Sequence, residues 1–227
     1  MIPDHELIRE RLRTPRAAAV AGVLFSVLLM TSQVLIWLSI PSDPWSPAIE
    51  ALRQSRALAV AINLVPFAGI AFLWFLAVVR DHIGEFEDRF FATVFLGSGL
   101  LYVAMMFIAA ATAGALLALL ANVPDTQAAS SAYLFGRAEV YRITTIYSTR
   151  MAAVFMMSSS TIFLRTKVSP RWLAVTGYVL ALVLLLSIGS IKWVAAIFPL
   201  WVLLISSYIL AQGWSRMARK SATVASV

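Results

Sequence analysis

The chain has 227 residues, of which 61% are hydrophobic and only 13% are charged, and its formal net charge is +7. Soluble domains are about 45–50% apolar and about 25% charged, so this composition excludes an ordinary soluble domain and indicates a membrane protein. The chain contains no cysteine, which excludes disulfides, thiolate metal sites and cysteine nucleophiles.

Six long apolar stretches follow one another along the chain, and each is predicted to form a transmembrane helix. They cover residues 17 to 40, 57 to 79, 90 to 121, 143 to 164, 172 to 189 and 193 to 212. About 20 helical residues cross the roughly 30 Å hydrocarbon core of a bilayer. Spanning β-strands would alternate apolar and polar residues, and these stretches do not. The sequence therefore predicts one all-α domain over residues 1–227, a polytopic bundle of six transmembrane helices.

The first and third stretches differ from ordinary spans in length or context. The first follows four arginines and, with 24 residues, exceeds the apolar core of a signal peptide, so it is predicted to stay in the protein. The third has 32 residues, which predicts a tilt or a projection beyond the membrane. Within it, Ala110, Gly114 and Ala118 recur at every fourth position, which favours a close helix contact in the bundle or between protomers.

Asn63 and Pro66 are the polar and helix-breaking residues of the second stretch. Proline removes one backbone donor and clashes with the preceding turn, and an amide three residues away can bond the freed backbone. We therefore expect the second helix to bend near Pro66.

The connector Arg80–Arg89 carries the densest charge in the chain. His82, Glu85, Glu87 and Asp88 are possible metal ligands, but their spacing matches no defined metal motif. The segment is interpreted as a solvated connector, and no metal site is predicted.

Arg150 is the most informative residue, because the fourth stretch would place it inside the membrane. A cation at the centre of a span costs from about 2.5 to more than about 10 kcal/mol, so it normally faces the bundle interior, a water-filled cavity or a partner. Helical spacing puts Glu139, Arg142 and Ile146 near the same face, and Glu139 could pair with Arg142. Glu139 lies about 16 Å along the axis from Arg150, so Arg150 is expected to find its partners on other helices.

Hydroxyl groups flank Arg150, with Thr149 beside it. They allow two interpretations. They could be packing residues that share hydrogen bonds while Arg150 reaches an interface, or they could line a polar cavity for an anionic ligand. On the second interpretation Arg150, Arg142, Glu139, Asn63 and Thr149 are the candidate ligand or pore-lining residues.

The distribution of lysine and arginine predicts the topology. Twelve lie in the two tails and the loops on one side, against five in the loops on the other side. By the positive-inside rule, six spans place both termini in the cytoplasm of a bacterial-type cell, with the helices in its plasma (inner) membrane. The positive charge is thus interpreted as topology and contact with lipid head groups, and no nucleic-acid partner is expected.

Three spans in each half would allow an inverted repeat, as in many transporters. A loose match links Thr14–Val20 to Ser148–Val154, and the second and sixth stretches each contain one proline, Pro66 and Pro199. Alanine and valine are so frequent in this chain that the match is weak evidence.

Enzymatic chemistry finds little support in the sequence. The two histidines, His5 and His82, lie outside the apolar stretches, so they provide neither a haem pair nor a base for a serine nucleophile within the membrane. No nucleotide-binding motif is present. We therefore expect no catalytic residue and no cofactor.

Two functions stay open. The first is a small-solute or anion transporter or channel-like protein with a polar path near Arg150. The second is a non-catalytic accessory or structural subunit that binds another membrane protein. The expected partners are the lipid bilayer and either a second copy of the chain or another membrane protein.

Overall fold

The protein is built from helices in every part that the structure describes. The computed structural model describes residues 4–39, 56–83, 89–122, 127–166, 170–187 and 193–224. These ranges contain α1 (Asp4–Ser39), α2 (Arg56–Ile83), α3 (Arg89–Asn122), α4 (Gln127–Arg142), α5 (Ser148–Thr166), α6 (Arg171–Leu186) and α7 (Val194–Val224). A π-helical turn, Ile143–Tyr147, joins α4 to α5. The all-α class is confirmed, since no strand occurs in the described ranges.

Four helices are long and apolar enough to cross a membrane. Their apolar segments are Ala17–Ile36, Arg56–Arg80, Phe90–Leu119 and Val194–Ala211. Helices also lie on the other two predicted stretches, but they differ from the first four. α5 carries two arginines in 19 residues, and α6 has only 16 residues. These segments indicate a helical membrane protein.

α4 is a helix that the sequence analysis does not predict, because residues 127–142 are too polar to stand out by hydropathy. The helix is held by packing at the end of α3. Tyr133 is fully buried against Leu58 of α2 and neighbouring apolar side chains, and a β-carbon on Gly136 would lie 3.3 Å from Leu116 of α3. The last turns of α3, which extend beyond the length of an ordinary span, therefore pack against α4. Burial raises the pKa of the Tyr133 phenol, and the positive charge of Arg137 partly opposes this shift.

Neighbouring helices run antiparallel, so the bundle has two ends. The Ser32 hydroxyl of α1 donates a hydrogen bond to the Ala61 carbonyl of α2 (2.7 Å) near the end where α1 stops and α2 begins. At the other end the Arg165 guanidinium of α5 lies over the ring of Phe91 of α3, 4.7 Å from its centre. We call the end that contains Phe91 the termini side, because α1 begins and α7 ends there, and the other end the distal side.

Aromatic rings fill the centre of the bundle. The ring of Phe72 lies 4.7 Å from that of Phe25, 5.4 Å from that of Phe155 and 5.7 Å from that of Phe198. The Tyr102 ring lies 4.5 Å from that of Phe198. These five residues, which we call the ring cluster, come from α2, α1, α5, α7 and α3. Tilted and edge-on ring pairs at such distances stabilise a core beyond the area they bury.

Helices α1, α2 and α3 form the first half of the bundle, and α5, α6 and α7 form the second. Helices of one half pack on helices of the other. The most extensive contacts join α1 to α2, α1 to α7, α5 to α6 and α3 to α5. The first helix of each half, α1 or α5, thus packs on the second helix of its own half and on the third helix of the other half.

Pro66 and the small residues of α3 occupy ordinary helix positions. α2 continues through Pro66 as one helix, and the bend expected there stays a prediction. Ala110 is buried, and a β-carbon on Gly114 would lie 3.8 Å from Ile62 of α2. These two small residues therefore serve a contact inside the bundle, whereas Ala118 is exposed.

Candidate functional site at the π turn between α4 and α5

The π turn is the main irregularity in the helix that carries the predicted site. It covers Ile143–Tyr147, and the Ser148 amide donates to the Ile143 carbonyl, five residues back. Four β-branched residues stand in the sequence Ile143-Thr144-Thr145-Ile146, and such side chains have few allowed χ1 rotamers in an α-helix, which lowers its stability slightly. Single π turns within α-helices occur frequently at functional sites.

The hydroxyl groups around this turn bond to their own helix. Thr145 donates to the Tyr141 carbonyl (2.6 Å), Ser148 to the Thr144 carbonyl (2.7 Å) and Thr149 to the Thr145 carbonyl (2.7 Å). Each reaches the carbonyl of the preceding turn, as serine and threonine commonly do in helices. Thr145, Ser148 and Thr149 are also buried. This geometry supports the packing interpretation, because the hydroxyl protons are already used within the helix.

Arg150 differs from its expected position. It is half-buried, and its guanidinium donates to the Ile146 carbonyl of its own helix (3.0 Å). The expectation of partners on other helices is not met in the described part of the chain. The physical reason is that a side chain on a helix points toward the N-terminal turn, where the π turn offers an accessible carbonyl.

The side of α5 that carries Arg150 faces away from the bundle centre. Tyr147 is 56% exposed and Met157 is 39% exposed, whereas Ala152, Ala153 and Met156 on the opposite side are fully buried. Arg150 thus lies with the outward residues at helical spacing. Its guanidinium extends along the helix surface toward the distal side.

The other candidate residues are dispersed. Asn63 is exposed and donates to the Ala59 carbonyl of its own helix (2.8 Å). Glu139 is half-buried, Arg142 is exposed, and the expected ion pair between them is absent from the described contacts. The structure does not gather Asn63 with the residues of α4 and α5. A role of these residues in ligand binding stays a prediction.

Polar side chains also link neighbouring helices, at pairs that the sequence does not predict. The Thr161 and Tyr178 hydroxyls, of α5 and α6, lie 2.6 Å apart, and the Gln33 amide of α1 donates to the Ala195 carbonyl of α7 (3.5 Å). Two buried groups without a hydrogen-bond partner, the Ser160 hydroxyl and the Trp201 indole nitrogen, each lie beside Gly177. No sequence pattern marks these pairs, because each depends on which helix lies opposite.

Within the described ranges no cluster of three or more His, Asp or Glu side chains is placed to hold a metal ion. The charged connector considered above has its residues 84–88 outside those ranges.

Comparison with known proteins gives no assignment: no protein-family model, no curated protein and no solved structure matches this chain.

Proposed function

We propose that this protein is a non-catalytic membrane protein with six spans that acts by binding another membrane protein. The ring cluster is the observation that carries the proposal, because it occupies the centre of the bundle where a solute path would run. The hydroxyl groups and Asn63, which would line such a path, are bonded to their own helices. A bundle whose centre is filled in this way can bind a partner protein through its outer surface.

The outer surface of α3 supports binding of a partner helix. Ala104, Ala111 and Ala115 are exposed there. Small residues at helical spacing allow another transmembrane helix to approach closely, and the association then depends on van der Waals packing. Two of these residues, Ala111 and Ala115, are one turn apart.

Purification in mild detergent after cross-linking in the native membrane tests this function. We expect a defined second membrane protein to copurify in a fixed ratio, and Ala111→Trp together with Ala115→Trp to remove it. Val179→Trp on α6, where the native side chain is 56% exposed, is the matched control and should leave the complex intact. If the partner is lost equally in both variants, or if no partner copurifies, the proposal is wrong.

Transport is the second candidate function, and the exchanged helix packing favours it. Inverted-topology repeats occur in many secondary transporters, with substrate sites at the interface between the repeats. Ala18 and Ala19 of α1 are buried, as are Ala152 and Ala153 of α5, which are their counterparts in the short sequence match. A homo-oligomer that purifies without another protein and whose melting temperature rises with one solute would favour transport.

Six spans with both termini in the cytoplasm are part of the proposal. They require α5 and α6 to cross the membrane despite the two arginines in α5 and the shortness of α6. The charge distribution described above supports this orientation. We expect a C-terminal alkaline phosphatase fusion to be inactive and a fusion after residue 124 to be active. The reverse pattern would show that the C-terminus is exported.

A further inference from the structure

We propose that Arg150 binds the phosphate of a phospholipid head group on the distal side of the membrane, at the level where the described part of α6 ends. The site does not depend on the partner protein proposed above. It requires only that α5 and α6 lie in the membrane.

The direction of the Arg150 side chain is the first argument. Its guanidinium bonds to the Ile146 carbonyl, one turn toward the distal side, and Arg150 lies on the outward side of α5 with Tyr147. An arginine oriented in this way covers apolar surface with its methylene groups and brings its charge toward the head groups. One guanidinium N–H group is used by the carbonyl, and the others are available to a phosphate oxygen.

The length of α5 is the second argument. Arg150 and Arg165 are fifteen residues apart, about 22 Å along a helix, and the Ile146 carbonyl adds about 6 Å. Arg165 contacts Phe91 at the start of the apolar segment of α3, so it marks the termini side of the hydrocarbon. The guanidinium of Arg150 therefore lies close to the distal boundary of a hydrocarbon core of about 30 Å.

The end of α6 is the third argument. Ser160 of α5 lies against Gly177 of α6, and the two helices are antiparallel because α6 begins five residues after α5 ends and packs along it. Arg150 stands ten residues before Ser160, and Ser187 stands ten residues after Gly177, so Arg150 is level with Ser187. The backbone of Ser187 is extended, and its hydroxyl bonds to the Leu184 carbonyl, which ends α6. The described part of α6 therefore ends at the level of Arg150.

The charge of the bundle is the fourth argument. The apolar segments of α1, α2, α3 and α7, together with α5 and α6, contain no aspartate or glutamate. A second copy of the chain in the same orientation would bring another Arg150 to the same depth, which would repel rather than neutralise. A phosphate supplies the missing negative charge, and it binds the planar guanidinium with two hydrogen bonds.

Lipid titration followed by native mass spectrometry tests the site. The purified protein is titrated with dioleoylphosphatidylglycerol, with dioleoylglycerol, which lacks the phosphate, and with inorganic phosphate. We expect one phosphatidylglycerol to bind more tightly than the rest, and Arg150→Ala to weaken that binding about tenfold or more. Arg150→Lys should retain part of the affinity, since it keeps the charge but loses the planar donors. Arg56→Ala, which removes an exposed arginine at the distal end of α2, is the matched control and should bind as the native protein does.

Three results would overturn the proposal. The first is equal phosphatidylglycerol binding by Arg150→Ala and the native protein. The second is binding of inorganic phosphate as tight as that of the lipid, which would identify a site for a free anion. The third is equal binding of dioleoylglycerol, which would show that only the acyl chains are recognised.

A depth measurement applies even if Arg150→Ala fails to fold. Because the chain has no cysteine, Tyr147→Cys and Met157→Cys can each carry a single nitroxide label in bilayers. We expect the label at position 147 to meet a water-soluble relaxation agent at the head-group level, and the label at position 157 to be protected. Protection of both labels would place Arg150 deep in the hydrocarbon and contradict the proposal.

Discussion

Phe72→Ala should destabilise the protein on the order of 3 kcal/mol, the largest effect that we expect from a single substitution. The Phe72 side chain is fully buried, and its ring contacts those of Phe25, Phe155 and Phe198. In a bilayer the exposed state is also apolar, so the loss comes from ring contacts and from the cavity rather than from transfer to water. Thermal unfolding in detergent, followed by near-ultraviolet circular dichroism, measures the effect.

Phe67→Ala is the matched control, because Phe67 lies on the same helix and is 62% exposed. Its removal should change the melting temperature little. Equal shifts for Phe67→Ala and Phe72→Ala would show that the ring cluster is not the core of the bundle. The same result would remove the observation on which the proposed function depends.

Gly177→Ala should destabilise the protein by about 1–3 kcal/mol, because it overpacks the contact between α5, α6 and α7. A β-carbon at this position would collide with the Ser160 hydroxyl, and the Trp201 indole nitrogen would lie 3.1 Å from it. Both polar atoms are buried without a hydrogen-bond partner.

A second substitution separates this collision from a general effect of alanine. Ser160→Ala removes the oxygen that a β-carbon at position 177 would meet, so the double variant should recover most of the lost stability. Gly97→Ala is the control, since a β-carbon there would meet nothing within 4 Å, and it should be neutral or slightly stabilising. Failure of Ser160→Ala to rescue Gly177→Ala would mean that the contact does not limit the packing of α6.

The hydropathy of the sequence was sufficient to predict the helical class and the location of most helices. Residues 57–79 and 90–121 nearly coincide with the apolar segments Arg56–Arg80 and Phe90–Leu119. This succeeds because a chain in lipid must satisfy its backbone hydrogen bonds internally, so a long apolar stretch becomes a helix whatever it packs against. α4 was missed for the same reason, since its polar residues give no such signal, and its position depends on Tyr133 packing against Leu58.

The candidate site was predicted by residue type but not by direction. Arg150 stood out because a charge is rare in an apolar stretch, yet helical spacing alone could not show whether it faces the centre. The π turn also changes the helical phase between Glu139 and Arg150, so a constant 100° per residue does not hold there. The exposed position of Asn63 on α2 could not be predicted for a comparable reason. A proline and an amide in the sequence indicate a local irregularity of the helix, but they do not show which helix lies opposite.

By itself, the sequence indicated that the protein lies in lipid and that its apolar stretches form helices, because hydropathy and backbone hydrogen bonding act locally. Only the tertiary structure decided which side chains meet. The ring cluster joins Phe72 to residues of four other helices, the Gly177 contact joins three helices, and Arg150 lies on the outward side of α5. Such choices depend on how helices cross and where they stop, which a one-dimensional pattern does not contain.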